Sequence, residues 1–389
     1  MKRVLLTGAS GFVGQSFVRR CAALGDASGV ELVALSESVD IRDVDGLVAA
    51  MAAASVDAIV HLAAVSHVPT AEADPQAAFD VNVRGTLALM QAVRKVQFAG
   101  RVLHVSTADV YGKVSSAQLP LTELTQPAPV SIYGASKLAS EVVVQQAARR
   151  YGTDVVIARS FNHVGAGQSS DFVLPAVARQ IARIELGQQP PQLVLGDVDV
   201  ERDFLDVDDV IDAYLALLRH GRTAEIYHVC SGIARNIRAT VNEMLAIRGV
   251  QAEITRDARL YRPAEQKIVV ESHDKLTHET DWRPRVAWAD TLALLTQDWA
   301  ARVALECGKA RQAGHRSALA QLLAAVAYAD DVQSVLHEHL AQRRPIDGFG
   351  TVRRIGEVDA VEFEHGRLAV EKGVVAEQFA GCLGQRGGL

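Results

Sequence analysis

The stretch that most constrains the fold lies at the start of the chain, where a short apolar run leads into three glycines spaced by two residues. The run ends in Thr7, the glycines are Gly8, Gly11 and Gly14, and a helical apolar pattern follows. Glycine lets the backbone approach a pyrophosphate closely, and the N-terminus of the following helix attracts the anion. A strand, a glycine turn and a helix in this order therefore predict a dinucleotide-binding unit, although the spacing GxxGxxG departs from GxGxxG. The predicted contacts are Gly8, Ser10, Gly11, Phe12, Val13 and Gly14. A glycine-rich turn without a ligand is the alternative.

Strand and helix patterns alternate after this unit. Strands are predicted at 31–35, 58–64 and 102–105, with a helix at 43–54. Alternation of this kind up to about residue 165 predicts an α/β fold of the Rossmann type, a doubly wound parallel sheet.

Further cofactor contacts are predicted at the carboxyl ends of these strands. Glu37 follows the second strand, where an acid can bind a ribose 2′-hydroxyl and disfavour a 2′-phosphate, which would select NADH over NADPH; an exposed loop glutamate is the equal alternative. Asp40 and Ile41 come next and could meet the adenine edge. Small residues after the third strand would let a cofactor lie against the backbone. The remaining predicted contacts are Leu62, Ala63, Ala64 and Asn82.

Tyr133 and Lys137 are four residues apart, so both lie on one face of a predicted helix. A free phenol titrates near ~10, and a neighbouring ammonium would lower the pKa of Tyr133. Such a pair can move a proton onto or off a carbonyl oxygen while a hydride moves at carbon. Thr107 ends the fourth strand, where its hydroxyl would point into the ligand crevice. Taken alone, the Tyr133 and Lys137 spacing favours an ordinary surface pair on a helix.

Charge and cysteine content exclude several other classes. The net charge is -6 and no basic cluster stands out, so neither a nucleic-acid nor a membrane partner is expected. Cys21, Cys230, Cys307 and Cys382 are widely spaced, which supports neither a zinc site nor a disulfide framework, and no metal is expected. The first strand begins at the N-terminus without a signal-peptide pattern, so a cytoplasmic protein is expected.

Four motifs occur together and in one order. They are Thr7-Gly-x-x-Gly-x-x-Gly14, His61-Leu-Ala-Ala64, Ser106-Thr107 ahead of Val110-Tyr111-Gly112, and Tyr133-x-x-x-Lys137. In this combination the chain, over about residues 1–303, resembles the extended short-chain dehydrogenase/reductases of the NAD-dependent epimerase/dehydratase family, which act on nucleotide sugars. The resemblance implies a catalytic triad of Thr107, Tyr133 and Lys137 and a nicotinamide cofactor, NADH or NADPH.

The second half is similar to the GDP-sugar branch of that family, through stretches around residues 159–173, 202–210, 262–265 and 281–284. The resemblance implies that Asn162 contacts the sugar diphosphate and Arg202 the diphosphate or nucleoside. Arg262 and Glu265 would bind the GDP ribose, since arginine suits phosphate and a carboxylate suits a diol. Ordinary ion pairs are the alternative. Further predicted substrate contacts are Ser66, His67, Thr107, Asp109, Phe172 and Val173.

For the reaction, the resemblance implies hydride transfer to C4 of a GDP-linked 4-keto-6-deoxyhexose, GDP-4-keto-6-deoxy-D-mannose. The product would be GDP-D-rhamnose or its C4 epimer, GDP-6-deoxy-D-talose. A GDP-mannose 4,6-dehydratase or another nucleotide-sugar epimerase is the alternative, but a dehydratase needs an acid/base carboxylate just after Thr107. Here Ala108 is inert and Asp109 is shorter than the usual glutamate. A non-catalytic NAD(P)-sensing protein is a reading from another class.

Three regions are predicted. They are 1–165, an NAD(P)-binding Rossmann domain with returning segments from about 200–230; 166–303, mainly a smaller α/β nucleotide-sugar-binding domain; and 304–389, an extension of unknown role. In the extension, residues 316–342 read as a helix, and Val358–Glu364 with Arg367–Glu371 as a β-hairpin. The extension reads equally well as an interaction module or as a passive tail.

A homodimer is expected, because helices after the third and fourth strands often pair across a two-fold axis in the family that the chain resembles. The apolar positions that suit such a face are Leu138, Ala139, Val142, Val143 and Ala147. An intramolecular core explains them equally well.

Overall fold

A computed structural model describes residues 2–257, 259, 268, 270–327, 352–355, 358–363, 366–371 and 374–378. The strands are β1 Lys2–Thr7, β2 Val30–Ala34, β3 Ala58–His61, β4 Arg101–Thr107, β5 Val155–Ser160, β6 Asn162–Val164, β7 Gln192–Leu195, β8 Glu201–Asp206, β9 Ile226–Val229, β10 Ala234–Asn236, β11 Glu253–Arg256, β12 Val352–Ile355, β13 Val358–Phe363, β14 Gly366–Glu371 and β15 Val374–Gln378. The helices are α1 Phe12–Leu24, α2 Val44–Ala54, α3 Val68–Ala73, α4 Pro75–Phe79, α5 Gly85–Lys95, α6 Ile132–Tyr151, α7 Val173–Glu185, α8 Val207–His220, α9 Ile237–Arg248, α10 Asp274–Thr280 and α11 Trp288–Ala327. Contacts divide the chain into two units, Met1–Leu305 and Glu306–Leu389.

The first unit is built on a six-stranded sheet in the order β2-β1-β3-β4-β5-β9, in which every pair is parallel. The chain leaves β1 toward β2 and then crosses back to β3, so the strand order reverses between β1 and β3. Ligands of such sheets bind outside the carboxyl ends of the strands at this reversal. The predicted doubly wound parallel sheet is therefore confirmed.

Alternation along β1 explains how the sheet is covered on both faces. Val4 and Leu6 pack into one core with α1 and α8, while Leu5 between them packs into the opposite core with α2, α5 and α6. Successive side chains of a strand point to opposite faces, so a continuous apolar strand needs helices on both sides. These two cores hold the carboxyl ends of β1, β3, β4 and β5 at one edge of the sheet.

A smaller lobe of the same unit carries the mixed sheet β10-β8-β6 and the parallel pair β11-β7. Its core is formed with α7, α9 and the start of α11, and includes Leu174, Met244 and Trp299. β6 follows β5 after one residue, so this lobe begins directly beyond the carboxyl edge of the main sheet.

The second unit contains an antiparallel meander, β12-β13-β14-β15. The predicted hairpin is confirmed, since β13 and β14 pair and Phe363 lies opposite Gly366. The sequence analysis missed β12 and β15. The predicted helix over 316–342 is found as the end of α11 up to Ala327, and 328–342 lie outside the described residues.

Candidate active site

The glycine turn after β1 has space for backbone atoms only. Gly8 has φ +71°, and a Cβ on it would lie 2.8 Å from the amide nitrogen of Ala63. A Cβ on Gly14 would lie 2.3 Å from the carbonyl oxygen of Gly8. In the described part of the chain, no side chain caps α1, whose N-cap residue is Gly11, so its first N–H groups point into the turn. These residues fit a dinucleotide pyrophosphate, which the bare N–H groups and the helix dipole would bind.

A chain of hydrogen bonds joins the ends of β1 and β3 beside this turn. The amide of Ala63 donates to Thr7 Oγ1 (3.2 Å), and Thr7 Oγ1 lies 2.9 Å from His61 Nδ1. On the other side, His61 Nε2 lies 3.1 Å from Thr86 Oγ1, which donates to the carbonyl of Asn82 (2.6 Å). Burial, and then the nearby Lys137 charge, lowers the pKa of His61 to about 3. The ring is therefore neutral, with Nε2 protonated, because Thr86 has already donated its proton.

Asn82, predicted as a cofactor contact, is committed to the protein. Its Oδ1 accepts from the amide of Val65 (2.8 Å), and its Nδ2 donates to the Val65 carbonyl (3.1 Å) and to Ser136 Oγ (2.9 Å). It lies in one π-helical turn between α4 and α5. With both amide protons used within the protein, Asn82 positions the loop after β3 against α6, and its contact to a cofactor stays a prediction.

The predicted adenosine contacts lie after β2. Glu37 is exposed in a turn closed by a hydrogen bond from the Val39 amide to the Ser36 carbonyl. Asp40 forms a two-oxygen ion pair with Arg42, which lowers the pKa of Asp40 to about 2. The contact of Asp40 to adenine stays a prediction, as do those of Glu37 and Ile41.

The predicted catalytic residues converge at the carboxyl end of β4. Thr107 is the last residue of that strand, and its hydroxyl accepts from the Asp109 amide (3.2 Å). Ser131 caps α6 by accepting from the Gly134 amide (3.0 Å), which fixes the first turn that carries Tyr133. A side-chain hydrogen bond joins Thr107 and Tyr133. The structure thus brings the two hydroxyl groups together, as the sequence predicted.

The electrostatics of Tyr133 correct one prediction. Burial raises the pKa of the phenol above its ordinary value, and the Asp109 carboxylate raises it further, while the Thr107 hydrogen bond opposes both effects. The expected lowering by Lys137 is therefore wrong for this structure. A phenolate loses its hydration in this pocket, and that loss outweighs the polar contacts.

Lys137 lies one turn further along the same face of α6. It is 4% exposed, and burial lowers its pKa to about 8, while the Glu141 carboxylate opposes that shift. Lys137 is therefore mainly cationic at neutral pH. A buried cation here could stabilise the phenolate of Tyr133 and bind the ribose of a cofactor.

A buried polar network lies behind Lys137, and the sequence analysis missed it. Arg159 on β5 binds Glu141 through two bonds (2.9 and 2.7 Å), and Ser106 Oγ donates to Glu141 Oε1 (2.5 Å). Arg159 also donates to Tyr111 Oη (2.7 Å), which lies 2.5 Å from His228 Nε2. One signal was available: Glu141 follows Lys137 by four residues and so shares its helix face.

The predicted substrate contacts form two groups in the structure. The rings of His67 and Phe172 meet edge to face at 6.0 Å, although they come from different elements. Ser66 and Val173, beside them in the chain, are exposed. Phe172 and Val173 begin α7. This group forms an open apolar edge near the loop after β3.

The second group lies on the sheet of the smaller lobe. Asn162 is exposed on β6 and donates from Nδ2 to the Asp203 carbonyl (3.2 Å), and Arg202 is on the neighbouring strand β8. Arg262 and Glu265 lie outside the described residues, so their predicted contacts to the GDP ribose stay predictions.

Glu271 is a buried acid near Arg202 that the sequence analysis did not identify. It is 2% exposed and lines a cavity of about 390 Å³ with Pro120, Ser231 and others. Among the described residues, neither of its carboxylate oxygens has a hydrogen-bond partner. Burial, and then the Asp203 carboxylate, raises the pKa of Glu271 to about 9, while Arg202 opposes the shift. The carboxyl group is therefore neutral at pH 7.

Glu271→Gln is expected to make the first unit more stable at neutral and alkaline pH. The carboxyl group of Glu271 binds its proton more tightly in the folded protein than in the unfolded chain. Its contribution to the free energy of unfolding is therefore complete below the unfolded pKa near ~4.3 and is lost as pH rises toward the folded pKa of about 9. At pH 7 the loss is about 4 kcal/mol in the free energy of unfolding. Glutamine keeps the size of the side chain and removes the titration.

Urea unfolding at pH 5, 7 and 9 measures this effect through the fluorescence of Trp282, Trp288 and Trp299, all of which lie in the first unit. Asp274→Asn, which removes an exposed acid three residues away, is the matched control and should follow the native chain. Parallel pH curves for the native chain and Glu271→Gln would contradict the prediction.

Across the described ranges, no group of three or more His, Cys, Asp or Glu side chains could hold a metal ion. In the part of the chain that the structure describes, every helix is too short or too polar to cross a lipid bilayer.

Comparisons with known proteins place this arrangement in a family. The sequence model of the GDP-mannose 4,6 dehydratase family matches residues 33–294. GDP-6-deoxy-D-mannose reductase of Pseudomonas aeruginosa is 40% identical over 302 residues, which cover 78% of this chain and 98% of the relative. The chain belongs to the epimerase/dehydratase family of extended short-chain dehydrogenase/reductases. The predicted resemblance is confirmed.

Solved structures agree with this family assignment. RMD from Pseudomonas aeruginosa, complexed with NADPH, superposes with a TM-score of 0.74 at 40% identity and covers 78% of this chain and 100% of its own. DesIV, a dTDP-glucose 4,6-dehydratase from Streptomyces venezuelae with NAD and TYD bound, superposes with a TM-score of 0.66 at 30% identity and covers 76% and 96%. Both members of the epimerase/dehydratase family match this chain over about three quarters of its length.

Proposed function

We propose that the chain is an NAD(P)H-dependent reductase of the C4 ketone of GDP-4-keto-6-deoxy-D-mannose, and that it forms GDP-D-rhamnose. The observation that carries the proposal is the 40% identity to GDP-6-deoxy-D-mannose reductase along almost the whole of that relative. The side-chain hydrogen bond between Thr107 and Tyr133 supports it, as does the buried Lys137 one helical turn beyond Tyr133, since a ketoreductase needs a proton donor with a cation on the same helix face. NADPH and NADH both remain candidates, because one solved relative is complexed with NADPH and another with NAD.

The residues of the site divide the reaction between them. A reduced nicotinamide bound beside the glycine turn would supply the hydride for C4 of the sugar. Tyr133 gives its phenolic proton to the oxygen of the former ketone, so that the ketone becomes a hydroxyl group. Thr107 donates a hydrogen bond to the same oxygen and orients it. Lys137 stabilises the phenolate that remains and holds the cofactor ribose until Tyr133 regains a proton from water.

The raised pKa of Tyr133 suits the direction of this reaction. A reductase needs a proton donor, and burial keeps the phenol protonated throughout the neutral range. The cation of Lys137 becomes useful when the phenolate forms, because a buried opposite charge then stabilises it. The site is therefore arranged to give a proton to an alkoxide.

A GDP-mannose 4,6-dehydratase is the second candidate function. It is favoured by the family whose sequence model matches, and by Asp109, whose charge acts on Tyr133. A dehydratase must also remove water across C5 and C6 of the sugar. Asp109 carries the only carboxylate of the turn Ala108–Tyr111 after Thr107, and it is one methylene shorter than glutamate. The reductase is therefore the better supported reaction.

A spectrophotometric assay tests the proposal directly. Purified protein is mixed with NADPH or NADH and GDP-4-keto-6-deoxy-D-mannose, and absorbance of the reduced nicotinamide is followed. Loss of absorbance with one new GDP-deoxyhexose supports the reductase, and NMR of C4 separates GDP-D-rhamnose from GDP-6-deoxy-D-talose. Conversion of GDP-mannose to the keto sugar, with no oxidation of either reduced cofactor, would overturn it in favour of the dehydratase.

We infer that the functional form is a homodimer that pairs through α5 and α6. Exposed apolar residues on or beside these packed helices support this: Phe79, Leu87, Val142 and Tyr151. The face differs from the one predicted, because Val143 and Ala147 pack into the core with α2 and α5. Of the positions predicted from α6, Val142 is the exposed one, and it is 60% exposed.

Val142→Arg is therefore expected to halve the molar mass in solution, because a two-fold face would place this charge against a copy of itself. Light scattering after size-exclusion chromatography measures the mass. Val18→Arg is the matched control, since Val18 is 46% exposed on α1, on the other face of the sheet, and should leave the dimer intact. A Val142→Arg protein that keeps the native mass would contradict this interface.

The cytoplasmic location stays a prediction, as does the absence of nucleic-acid and membrane partners.

A further inference from the structure

The buried network behind Lys137 links three elements that the catalytic residues depend on. Glu141 lies on α6 one turn beyond Lys137 and two turns beyond Tyr133, so the three share one helix face. Its carboxylate receives Ser106 Oγ at 2.5 Å, and Ser106 directly precedes Thr107 on β4. The same carboxylate receives two bonds from Arg159 on β5.

This ion pair is isolated from water. The side chains of Arg159 and Glu141 are 3% and 2% exposed. Moving two charges out of water costs free energy that can cancel their attraction, so a buried ion pair is weak evidence for a role in stability. Removal of one partner is strongly destabilising, because it leaves the other charge buried and unpaired. Its geometry fits another role, because two-point contacts restrict both distance and orientation.

We propose that Glu141 is a positioning residue. Through Ser106 and Arg159 it clamps the Tyr133 and Lys137 face of α6 onto the carboxyl ends of β4 and β5, and it places a negative charge one helical turn beyond Lys137. The proposal rests on the proposed function for its effect on turnover, but its effect on Lys137 is independent of the substrate.

The other groups around Lys137 leave Glu141 as the countercharge. His61 on β3 and His104 on β4 both have their pKa lowered by burial, with Lys137 as the next cause, so both rings are neutral. Arg159 on β5 is cationic but is bound to Glu141. Tyr133 on α6 itself is protonated at neutral pH. The carboxylate of Glu141 is thus the negative group that favours a charged Lys137.

Glu141→Gln tests the charge without changing the size of the side chain. The reactivity of Lys137 toward acetic anhydride is measured from pH 6 to 10 by mass spectrometry on the full chain, without any sugar. The native titration midpoint is expected near 8, and Glu141→Gln should lower it by about one pH unit or more, which is about tenfold in the protonation constant. An unchanged midpoint in a folded Glu141→Gln protein overturns the proposal.

Two matched variants keep this experiment decisive. Glu185→Gln removes a carboxylate that binds Arg248 through a similar pair of bonds (2.9 and 3.0 Å) on the smaller lobe, and it should leave the Lys137 midpoint unchanged. If Glu141→Gln fails to fold because Arg159 is left unpaired, Glu141→Gln with Arg159→Met removes both charges. That double variant is still expected to lower the midpoint, and failure to do so overturns the proposal.

Ser106→Ala tests the clamp separately, since it removes one bond and keeps the charge. It should leave the Lys137 midpoint near 8 and lower kcat about tenfold, with the KM for the nicotinamide cofactor unchanged, because a displaced phenol slows proton transfer and not binding. Native kcat in this variant overturns the clamp. If the native chain does not reduce the GDP-sugar, the proposed function fails, while the labelling experiment still decides the role of Glu141.

Discussion

Tyr133→Phe is expected to lower kcat by about 10²–10⁴-fold while the affinity for NADPH stays at its native value. Phenylalanine keeps the ring that packs in the pocket and removes the hydroxyl that bonds Thr107 and donates the proton. Without that donor, the alkoxide at C4 must take its proton from water, which is not positioned for the transfer as the phenol is. Turnover is measured by oxidation of the reduced nicotinamide, and cofactor affinity by titration calorimetry.

Tyr151→Phe is the matched control for this experiment. Tyr151 is the last residue of the same helix, α6, where its ring lies 4.9 Å from the Arg94 guanidinium, far from the catalytic end. Loss of its hydroxyl should leave turnover unchanged. Turnover of Tyr133→Phe within about threefold of the native rate would contradict the assigned acid. An NAD(P)-sensing protein would instead bind cofactor and show no turnover even in the native chain.

Gly14→Ala is expected to weaken NADPH binding about a hundredfold and to destabilise the protein without cofactor. Alanine normally favours a helix over glycine by about 0.5–1 kcal/mol. Here its Cβ would lie 2.3 Å from the Gly8 carbonyl oxygen and 2.6 Å from the Ala9 Cα, and both are backbone atoms that cannot turn away. Relieving such overlaps costs about 1–3 kcal/mol, so the clash outweighs the gain in helix propensity. α1 must move away from β1, and its N–H groups leave the turn.

Gly11→Ala is the matched control for the clash at Gly14, because it adds the same methyl group to the same turn without an overlap. The atom nearest to a Cβ on Gly11 is the Gly8 carbonyl oxygen at 3.4 Å, and its φ of -70° suits alanine. The unliganded Gly11→Ala protein should therefore keep the native Tm, while Gly14→Ala should lose several degrees, at about 2–4 °C per kcal/mol. Calorimetry of both proteins without cofactor checks this. An unchanged Tm in Gly14→Ala would contradict the packing argument.

Features set by local spacing were predictable from the sequence. Tyr133 and Lys137 lie on one face of the helix because they are four residues apart. Thr107 lies at the crevice because it ends an apolar strand. The turn at Gly8 and Gly14 follows from its place between a strand and a helix. Each of these depends on residues close together in the chain, where helix and strand geometry leave few alternatives.

Features set by burial were not predictable in the same way. The pKa of Tyr133 is raised and not lowered, because its pocket removes more solvation than its polar neighbours return. Asn82 is used to hold Val65 and Ser136, which lie 17 and 54 residues away along the chain. No local pattern signals either outcome, because each depends on which distant segments enclose the side chain.

The sequence by itself determined the doubly wound sheet, the glycine turn after its first strand and the positions of the three residues predicted as a catalytic triad, because each depends on short-range periodicity or on the end of a strand. Only the tertiary structure decided the charge states and the supports of that triad. Glu141 and Arg159 are 18 residues apart in the chain and meet because β5 lies beside β4 under α6. Long-range packing sets which polar groups lose water and which partners they then have, and that decides how Tyr133 and Lys137 hold their protons.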